Sequence, residues 1–278
     1  MHKILHKEGT VFIVLLVLLS FKTVSSQNIL TATNSEAWGV GGASVMSKDV
    51  FGVFNNPSAY SEIKKLQCGI YSEQRMSQTK LGSVALSLVI PTTFMNIGFA
   101  VSHLADTFIN QEKVNASLSK KISKNFSIGA TVSYLVTYSA GQPFSGNIIY
   151  EFGGIYDINN RFQFGVFIFN PTQRNYSDFS NDKIPTYYRI GGGYDVLDRL
   201  RFVFEMQQLF NQQILFRGGI RYNTNGLLTL SAGLANNPVY ITFGIGIRLK
   251  KFKLDYAASF HEVLGYSPHL GIIFPQVN

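Results

Sequence analysis

The feature that most constrains this chain is a two-residue alternation of apolar with small or polar side chains. In the clearest block, Val239 to Leu249, the odd positions are all aliphatic or Phe, and the even positions are Tyr, Thr, Gly, Gly and Arg. The same alternation returns at 126–134, 199–207 and 252–260. Because successive side chains of a strand point to opposite faces, the pattern predicts an all-β fold of antiparallel strands.

The two faces differ in a way that indicates a membrane barrel. The less apolar face is mostly Gly, Ser, Asn and Arg, whereas the wet face of a soluble sheet is rich in Lys, Glu and Thr. Charged residues make up only 14% of the chain, against roughly 25% in soluble proteins. Small residues with scattered charges suit a narrow barrel interior, and an apolar exterior suits lipid. A soluble sandwich, with the aliphatic rows facing each other across two sheets, is the alternative.

Helices are not expected to span a membrane here, because no stretch after the first thirty residues is apolar over the roughly 18 residues that a spanning helix needs. The blocks number about fourteen, an even count of the kind that bacterial barrels use. We predict strands that begin near Leu66, Lys80, Thr93, Lys113, Asn125, Phe144, Asn160, Thr186, Asp198, Gln213, Leu227, Val239, Lys251 and Tyr266.

Every second connection is short, as expected if both termini lie in the periplasm. Pro91-Thr92 and Asn225-Gly226 are examples, and Asn-Gly is a strong hairpin signal. The longest connection of the other set, 171–185, carries Arg174, Tyr176 and Phe179 and is predicted to lie outside the cell. It is either a recognition loop or a variable loop without a role.

The N-terminus has the pattern of an export signal. His2, Lys3, His6 and Lys7 precede an apolar run over 11–21, and the small residues Ser25 and Ser26 follow. We expect cleavage after Ser26, with an uncleaved anchor as the less favoured alternative. The predicted organisation is a signal peptide over 1–26, a plug-like segment over 27–65 and a barrel over 66–278.

The segment before the first strand lacks alternation and reads as short helical turns, with Asn55-Asn56-Pro57 ending one of them. A segment of this size could plug a narrow lumen. Its candidate anchoring residues are Gly41, Gly42, Asp49, Asn55, Asn56 and Pro57.

These residues carry a family resemblance. Gly-Gly-Ala-x-Val, then an Asp, then Asn-Pro-Ser-Ala within Gly41 to Ala59 resembles the N-terminal signature of FadL-type outer-membrane barrels, including the PorV/PorQ-like branch. The stretches 255–261 and 264–269 are similar to the closing hairpin of that branch. The resemblance implies fourteen strands with the N-terminal segment inside. It also implies either passage of hydrophobic molecules or an accessory role in type IX secretion. The chain departs from the family in its short loops and in Pro275 to Asn278 after Phe274.

Charged side chains lie on the less apolar face of consecutive strands. They are Arg189, Arg199, Arg201, Glu205, Arg217, Arg221, Arg248, Lys253 and Asp255. One interpretation is a selective, anion-attracting pore lining. We favour the other, a salt-bridged interior that holds the plug, because the neighbouring glycines leave room for a plug more readily than for an aqueous channel.

Catalytic and metal chemistry have no positive signal. His103, His261 and His269, the histidines beyond the signal peptide, show no Ser-His-acid arrangement and no ligand spacing. Cys68 is the single cysteine, so an intrachain disulfide is impossible, and we interpret it as a small apolar strand residue. We therefore predict no enzyme, no cofactor and no metal. The formal net charge of +8 falls to +6 on the predicted cleavage, because three Lys and one Glu are lost, and such a surplus spread along the chain is no nucleic-acid footprint.

The sequence favours an outer-membrane barrel with a structural or accessory role, in type IX secretion or surface-protein handling. Its expected partners are membrane lipid and the proteins of such a complex. The alternative is a FadL-like conduit or binding barrel for a small hydrophobic molecule. A secreted soluble β-protein is a third interpretation.

Overall fold

A computed structural model of the chain describes residues 32–78, 81–106, 109–139, 145–176, 183–210, 212–224, 226–263 and 265–275. The predicted signal peptide, Phe179 and Asn225 lie outside these residues. The described chain contains a closed antiparallel barrel of fourteen strands, as predicted, in which each strand pairs with its sequence neighbours and β1 pairs with β14. The strands are β1 Gln67–Gln74, β2 Gly82–Pro91, β3 Asn96–Ala105, β4 Ile109–Lys121, β5 Phe126–Ser139, β6 Ser145–Asp157, β7 Phe162–Phe169, β8 Tyr187–Leu197, β9 Leu200–Leu209, β10 Leu215–Asn223, β11 Leu228–Ala235, β12 Tyr240–Arg248, β13 Lys253–His261 and β14 Gly265–Phe274.

The connections at the two ends of the barrel differ in length less regularly than predicted. We call the end where β1 begins and β14 ends the terminal end, and the opposite end the loop end. Turns at the terminal end are short, and the longest connection, 170–186, lies at the loop end. The loop-end connections 106–108 and 262–264, however, are as short as the turns of the terminal end. The largest error in a predicted strand start is at β4, which begins at Ile109 and not near Lys113. Its polar first residues show no alternation, and pairing of Ile109 with Ser139 of β5 extends the strand.

The outer face of the barrel is apolar. All six odd residues from Val239 to Leu249 are exposed, with Ile241 and Phe243 each at 54%. Phe126, Ile128, Val132 and Tyr134 of β5 are exposed in the same way. Because these rows point away from the closed sheet, the stacked-sheet alternative is wrong. Cys68 lies on this exterior, also exposed.

The plug, which we define as residues 32–65, packs against the inner wall. It contains two helical turns, α1 Ser35–Trp38 and α2 Gly52–Asn55, and Asn34 caps α1 by accepting a hydrogen bond from the backbone nitrogen of Glu36 at 2.8 Å. Its apolar side chains, including Val50, Phe51 and Val53, form a buried core with β1 to β3, β13 and β14. Within the residues described, no helix is long and apolar enough to cross a membrane.

Glycines on the inner wall let the plug approach the strands closely. A Cβ built on the plug-facing glycines would lie less than 3.0 Å from a plug atom, a distance that real Cβ atoms do not reach. The plug-facing glycines are Gly69, Gly98, Gly129, Gly153, Gly165, Gly191, Gly219, Gly233, Gly244 and Gly271. They come from ten of the fourteen strands, so the plug is in contact with most of the circumference.

Candidate functional site in the barrel lumen

Three of the predicted lumen charges meet at one point of the inner wall. Glu205 of β9 lies 3.1 Å from Arg217 Nη1 on β10 and 3.9 Å from Arg189 Nε on β8. Its other oxygen accepts hydrogen bonds from the backbone nitrogens of Ser44 and Val45, each at 2.7 Å. A carboxylate that accepts hydrogen bonds from two backbone amides and faces two guanidinium groups is fully paired. Glu205 therefore links three strands of the wall to the plug.

The two arginines of this cluster also donate hydrogen bonds to the plug. Arg189 donates to Ser44 Oγ at 2.9 Å and to Gln207 Oε1 at 3.0 Å, and Arg217 donates to the carbonyl of Gly42 at 3.4 Å. Gly41, with φ +77, donates its N–H to Thr242 Oγ1 at 2.9 Å. Its backbone lies against β10 and β11, so both the conformation and the space at this position require glycine.

A second cluster lies around Glu36 of α1. Its carboxylate contacts Arg221 Nη1 at 2.6 Å and also binds Lys253, which in turn lies 3.0 Å from Asp255. Burial alone would raise the pKa of Glu36, but the charges of Arg221 and Lys253 outweigh it and hold the pKa well below its usual range. Two strand residues predicted from the sequence, Arg221 and Lys253, therefore bind a plug carboxylate that the sequence analysis did not single out, and a third, Asp255, pairs with Lys253.

Asp49 lies beside this cluster in the plug. It accepts a hydrogen bond from Asn34 Nδ2 at 2.6 Å and another from the backbone nitrogen of Phe51 at 2.8 Å. Burial, and then the negative charge of Glu36, raise the pKa of Asp49 to about 7, although Lys253 and the two hydrogen bonds act in the opposite direction. Asp49 is thus the plug residue whose charge changes near neutral pH.

The predicted asparagines of the plug bind backbone groups. Asn55 exchanges hydrogen bonds with the backbone of Thr33, and Asn56 Nδ2 donates to the carbonyl of Val45 at 2.9 Å and to that of Val166 on β7 at 3.3 Å. Pro57 packs against Gly129 and Gly153. These contacts place the turn directly against β5 to β7.

A third cluster was missed by sequence reasoning. His269 of β14 lies 3.0 Å from Ser259 Oγ, 3.0 Å from Tyr71 OH and 3.3 Å from Glu73 Oε2. Trp38 of α1 stacks on its ring at 4.3 Å. Ser259, His269 and Glu73 are all buried, and the plug tryptophan covers the imidazole. The sequence shows only that these side chains point into the barrel. The pairing of β1 with β14 and of β14 with β13 was needed to show that they are neighbours.

Between β5 and β8 the loop half of the inner wall carries a patch of apolar and aromatic side chains. We call this surface the aromatic wall and define it by Leu135, Ile149, Phe167, Phe169 and Tyr187, all buried. Phe169 and Tyr187 stack at 4.9 Å, with Lys113 5.0 Å from the Phe169 ring and Arg189 4.9 Å from the Tyr187 ring. Lys113 also pairs with Glu151 at 2.5 Å. Sequence reasoning missed this pair, although both residues have inward parity.

The described ends of the long connection, residues 170–176 and 183–186, bind each other and β6. Ile184 is fully buried, and Asn170 binds its carbonyl through Nδ2 at 2.9 Å. Asn147 of β6 donates to the carbonyl of Tyr176 at 3.0 Å. The Arg174 side chain is exposed, and the Arg174 backbone carbonyl accepts a hydrogen bond from the backbone nitrogen of Ile184. Of the three predicted loop residues, Phe179 lies outside the described chain.

Two other predicted charges, Arg201 and Arg248, lie at the edge of the Glu36 cluster, with Arg201 opposite Arg221 in the β9 and β10 register. Arg201 pairs with Asp195 at 2.9 Å near the terminal end. Arg248 lies opposite Lys253 in the β12 and β13 register. Arg199 is not on the inner face, because it lies exposed in the turn between β8 and β9. That the inward charges act to hold the plug stays a prediction. Among the described residues no group of three or more His, Cys, Asp or Glu could hold a metal ion.

Solved structures with the same fold exist. One described as CymD monoaromatic hydrocarbon channel has a TM-score of 0.71 and 11% identity, over 90% of this chain and 99% of that chain. The Pseudomonas putida toluene transporter TodX has a TM-score of 0.66 and 13% identity, over 88% and 96%. A Pseudomonas aeruginosa FadL homologue has a TM-score of 0.61 and 14% identity, over 87% and 96%. At these identities the likeness establishes the fold.

Neither a family model nor a curated protein matches the sequence. The fold predicted from the resemblance is therefore confirmed by structure, while the finer PorV/PorQ-like assignment stays a prediction.

Proposed function

We propose that the protein is an outer-membrane β-barrel that acts as a conduit or binding barrel for a small hydrophobic molecule. The location follows from the continuous apolar exterior, which is the surface that lipid requires of a spanning barrel. Cleavage after Ser26 belongs to the same proposal, and N-terminal sequencing of the mature protein should then begin at Gln27.

The observation that carries the proposed function is the aromatic wall. The rest of the inner wall is mostly small or charged, whereas this sector buries Ile149 at 0% and Phe169 at 1% exposure. Apolar pockets with a few polar groups are the usual form of a small-molecule site. The likeness in fold to structures named as hydrocarbon and toluene channels supports the same assignment.

We propose an order for the passage. A molecule entering at the loop end would displace the 170–186 connection at Ile184, reach the aromatic wall, and meet the plug below it. At the terminal end a cavity of 820 Å³ opens between the plug residues 61–64 and the β2 to β4 wall, with Asn96 and Lys121 among its lining residues. In this proposal the plug lies between the aromatic wall and this cavity, and the cavity is the exit.

Binding of radiolabelled toluene to the purified full-length barrel in detergent tests this proposal. Phe169→Ala should weaken binding at least several-fold, because it removes half of the stacked pair. Tyr134→Ala, on the exterior of β5, is the matched control and should leave binding unchanged. Absence of measurable binding to the wild-type protein would refute the conduit.

A second candidate is the structural or accessory role in type IX secretion or surface-protein handling. It is favoured by the close fit of the plug to ten strands, which suits a static barrel. Affinity purification in mild detergent would then recover stoichiometric protein partners, and recovery of the barrel alone would count against this role.

A further inference from the structure

Three buried oxygen atoms at the edge of the aromatic wall have no hydrogen-bond partner among the described residues. They are Asn115 Oδ1 on β4, Thr131 Oγ1 on β5 and Glu151 Oε2 on β6. The exposure of these three residues is 0%, 2% and 0%. We call them the acceptor node. Buried polar groups are nearly always paired, so three unpaired oxygens on adjacent strands point to a missing polar partner.

The node is compact because the strand register brings its members together. Thr131 lies directly opposite Glu151, and Asn115 lies directly opposite Ser133. Ser133 donates to Glu151 Oε1 at 2.7 Å and Lys113 lies 2.5 Å from the same oxygen. Both Ser133 and Lys113 therefore bind Glu151 Oε1. Glu151 Oε2 has no donor among the described residues.

An apolar surface begins beside the node. Phe169 lies opposite Glu151 in the β6 and β7 register, and the Lys113 ammonium that binds Glu151 is 5.0 Å from the Phe169 ring. The plug forms the other boundary, because Asn115 Nδ2 donates to the carbonyl of Val53 at 3.1 Å. A molecule lying on the aromatic wall would thus present one end to unpaired acceptors.

Resting on the proposed function, we infer that the cargo is a neutral amphiphile, an apolar body with one hydroxyl group, which donates to Glu151 and accepts from Thr131. A bare hydrocarbon would leave the acceptors unpaired. An anion would face the Glu151 carboxylate, and a cation would compete with Lys113, which already neutralises it. A hydroxyl supplies one donor and one acceptor without a charge.

The test compares two probes of nearly equal shape, p-cresol and toluene, by equilibrium binding to the full-length barrel in detergent. The wild type should bind p-cresol about tenfold more tightly than toluene. Thr131→Val, which replaces the hydroxyl at nearly constant volume, should remove most of that preference. Thr137→Val is the matched control on the same strand, because Thr137 already accepts a hydrogen bond from Gln111 at 3.4 Å, and it should change neither affinity.

The outcomes separate this inference from the proposed function. If neither probe binds, the conduit itself is refuted. If toluene binds as tightly as p-cresol in the wild type, the node is satisfied by ordered water only and the inference is overturned, while the conduit stands. The comparison of p-cresol and toluene on the wild-type protein is enough to decide the inference. It therefore stays testable even if Thr131→Val does not fold, which heat-modifiable migration would show.

Discussion

The carboxylate of Glu205 lies 2.7 Å from the backbone nitrogen of Ser44, so a strand of the barrel binds the plug through a buried charge. The same carboxylate compensates Arg217 and lies near Arg189. Its loss would therefore affect the wall and the plug together, because a buried ion pair that loses one partner leaves the other charge uncompensated.

Replacing Glu205 tests whether the lumen charges hold the plug. Glu205→Gln should destabilise the barrel by about 3–5 kcal/mol, since two guanidinium groups lose their anion in a buried site. The measurement is the temperature at which the folded band disappears in heat-modifiable migration, together with the fluorescence of Trp38, the single tryptophan of the chain. Glu262→Gln, in an exposed connection at the loop end, should leave both readouts unchanged. Equal stability of the two variants would contradict a plug held by this charge.

Neighbouring glycines of β6 test the close approach of the plug. A Cβ on Gly153 would collide with the side chain of Asn56, whereas a Cβ on Gly154 would come no closer than 3.4 Å to Val166 Cγ2. Gly153→Ala should therefore cost about 1–3 kcal/mol by overpacking. Gly154→Ala, on the outward face, should be near neutral. Urea unfolding followed by gel mobility measures both, and an equal effect of the two substitutions would show that the plug does not occupy this position.

Asp49 should make the stability of the folded protein decrease as pH rises toward neutrality. Its pKa rises from 3.8 to about 7 because of burial and the nearby Glu36 charge. Between about pH 4 and about pH 7 the folded protein then binds more protons at this site than the unfolded chain, so stability falls as pH rises through that window. Asp49→Asn should flatten this part of the profile. Urea midpoints at several pH values, with Trp38 emission as the readout of plug seating, measure it, and an unchanged slope in Asp49→Asn would contradict the assignment.

The apolar exterior predicts a depth-dependent penalty for charge. Ile245→Arg, near the middle of β12 on the outer face, should destabilise the barrel in lipid vesicles by about 2–4 kcal/mol. Leu249→Arg, at the terminal end of the same row, should cost about 0–1 kcal/mol. Urea titration in vesicles measures both. Two equal and small penalties would argue that this surface does not contact hydrocarbon.

The sequence by itself determined the strands and the identity of their two faces. From Val239 to Leu249 the side-chain period of two depends only on local backbone geometry, so parity separates the outward Phe243 from the inward Gly244 without any knowledge of the fold. The even strand count and the short turns of the terminal end followed from the same periodicity and from turn residues such as those at Gly226. The predicted inward position of Arg199 was wrong because Arg199 lies in a turn, where side chains no longer alternate between two faces.

Only the tertiary structure decided which inward residues meet. Glu205 and Ser44, or Thr131 and Glu151, become neighbours through strand order, register and the path of the plug, and these are set by packing of the whole inner wall. The plug-facing glycines are an example, because a glycine in a strand can mark a bulge, a weak point or a close contact. Which of these applies at Gly153 depends on Asn56, almost a hundred residues earlier in the chain, and no local pattern encodes that distance.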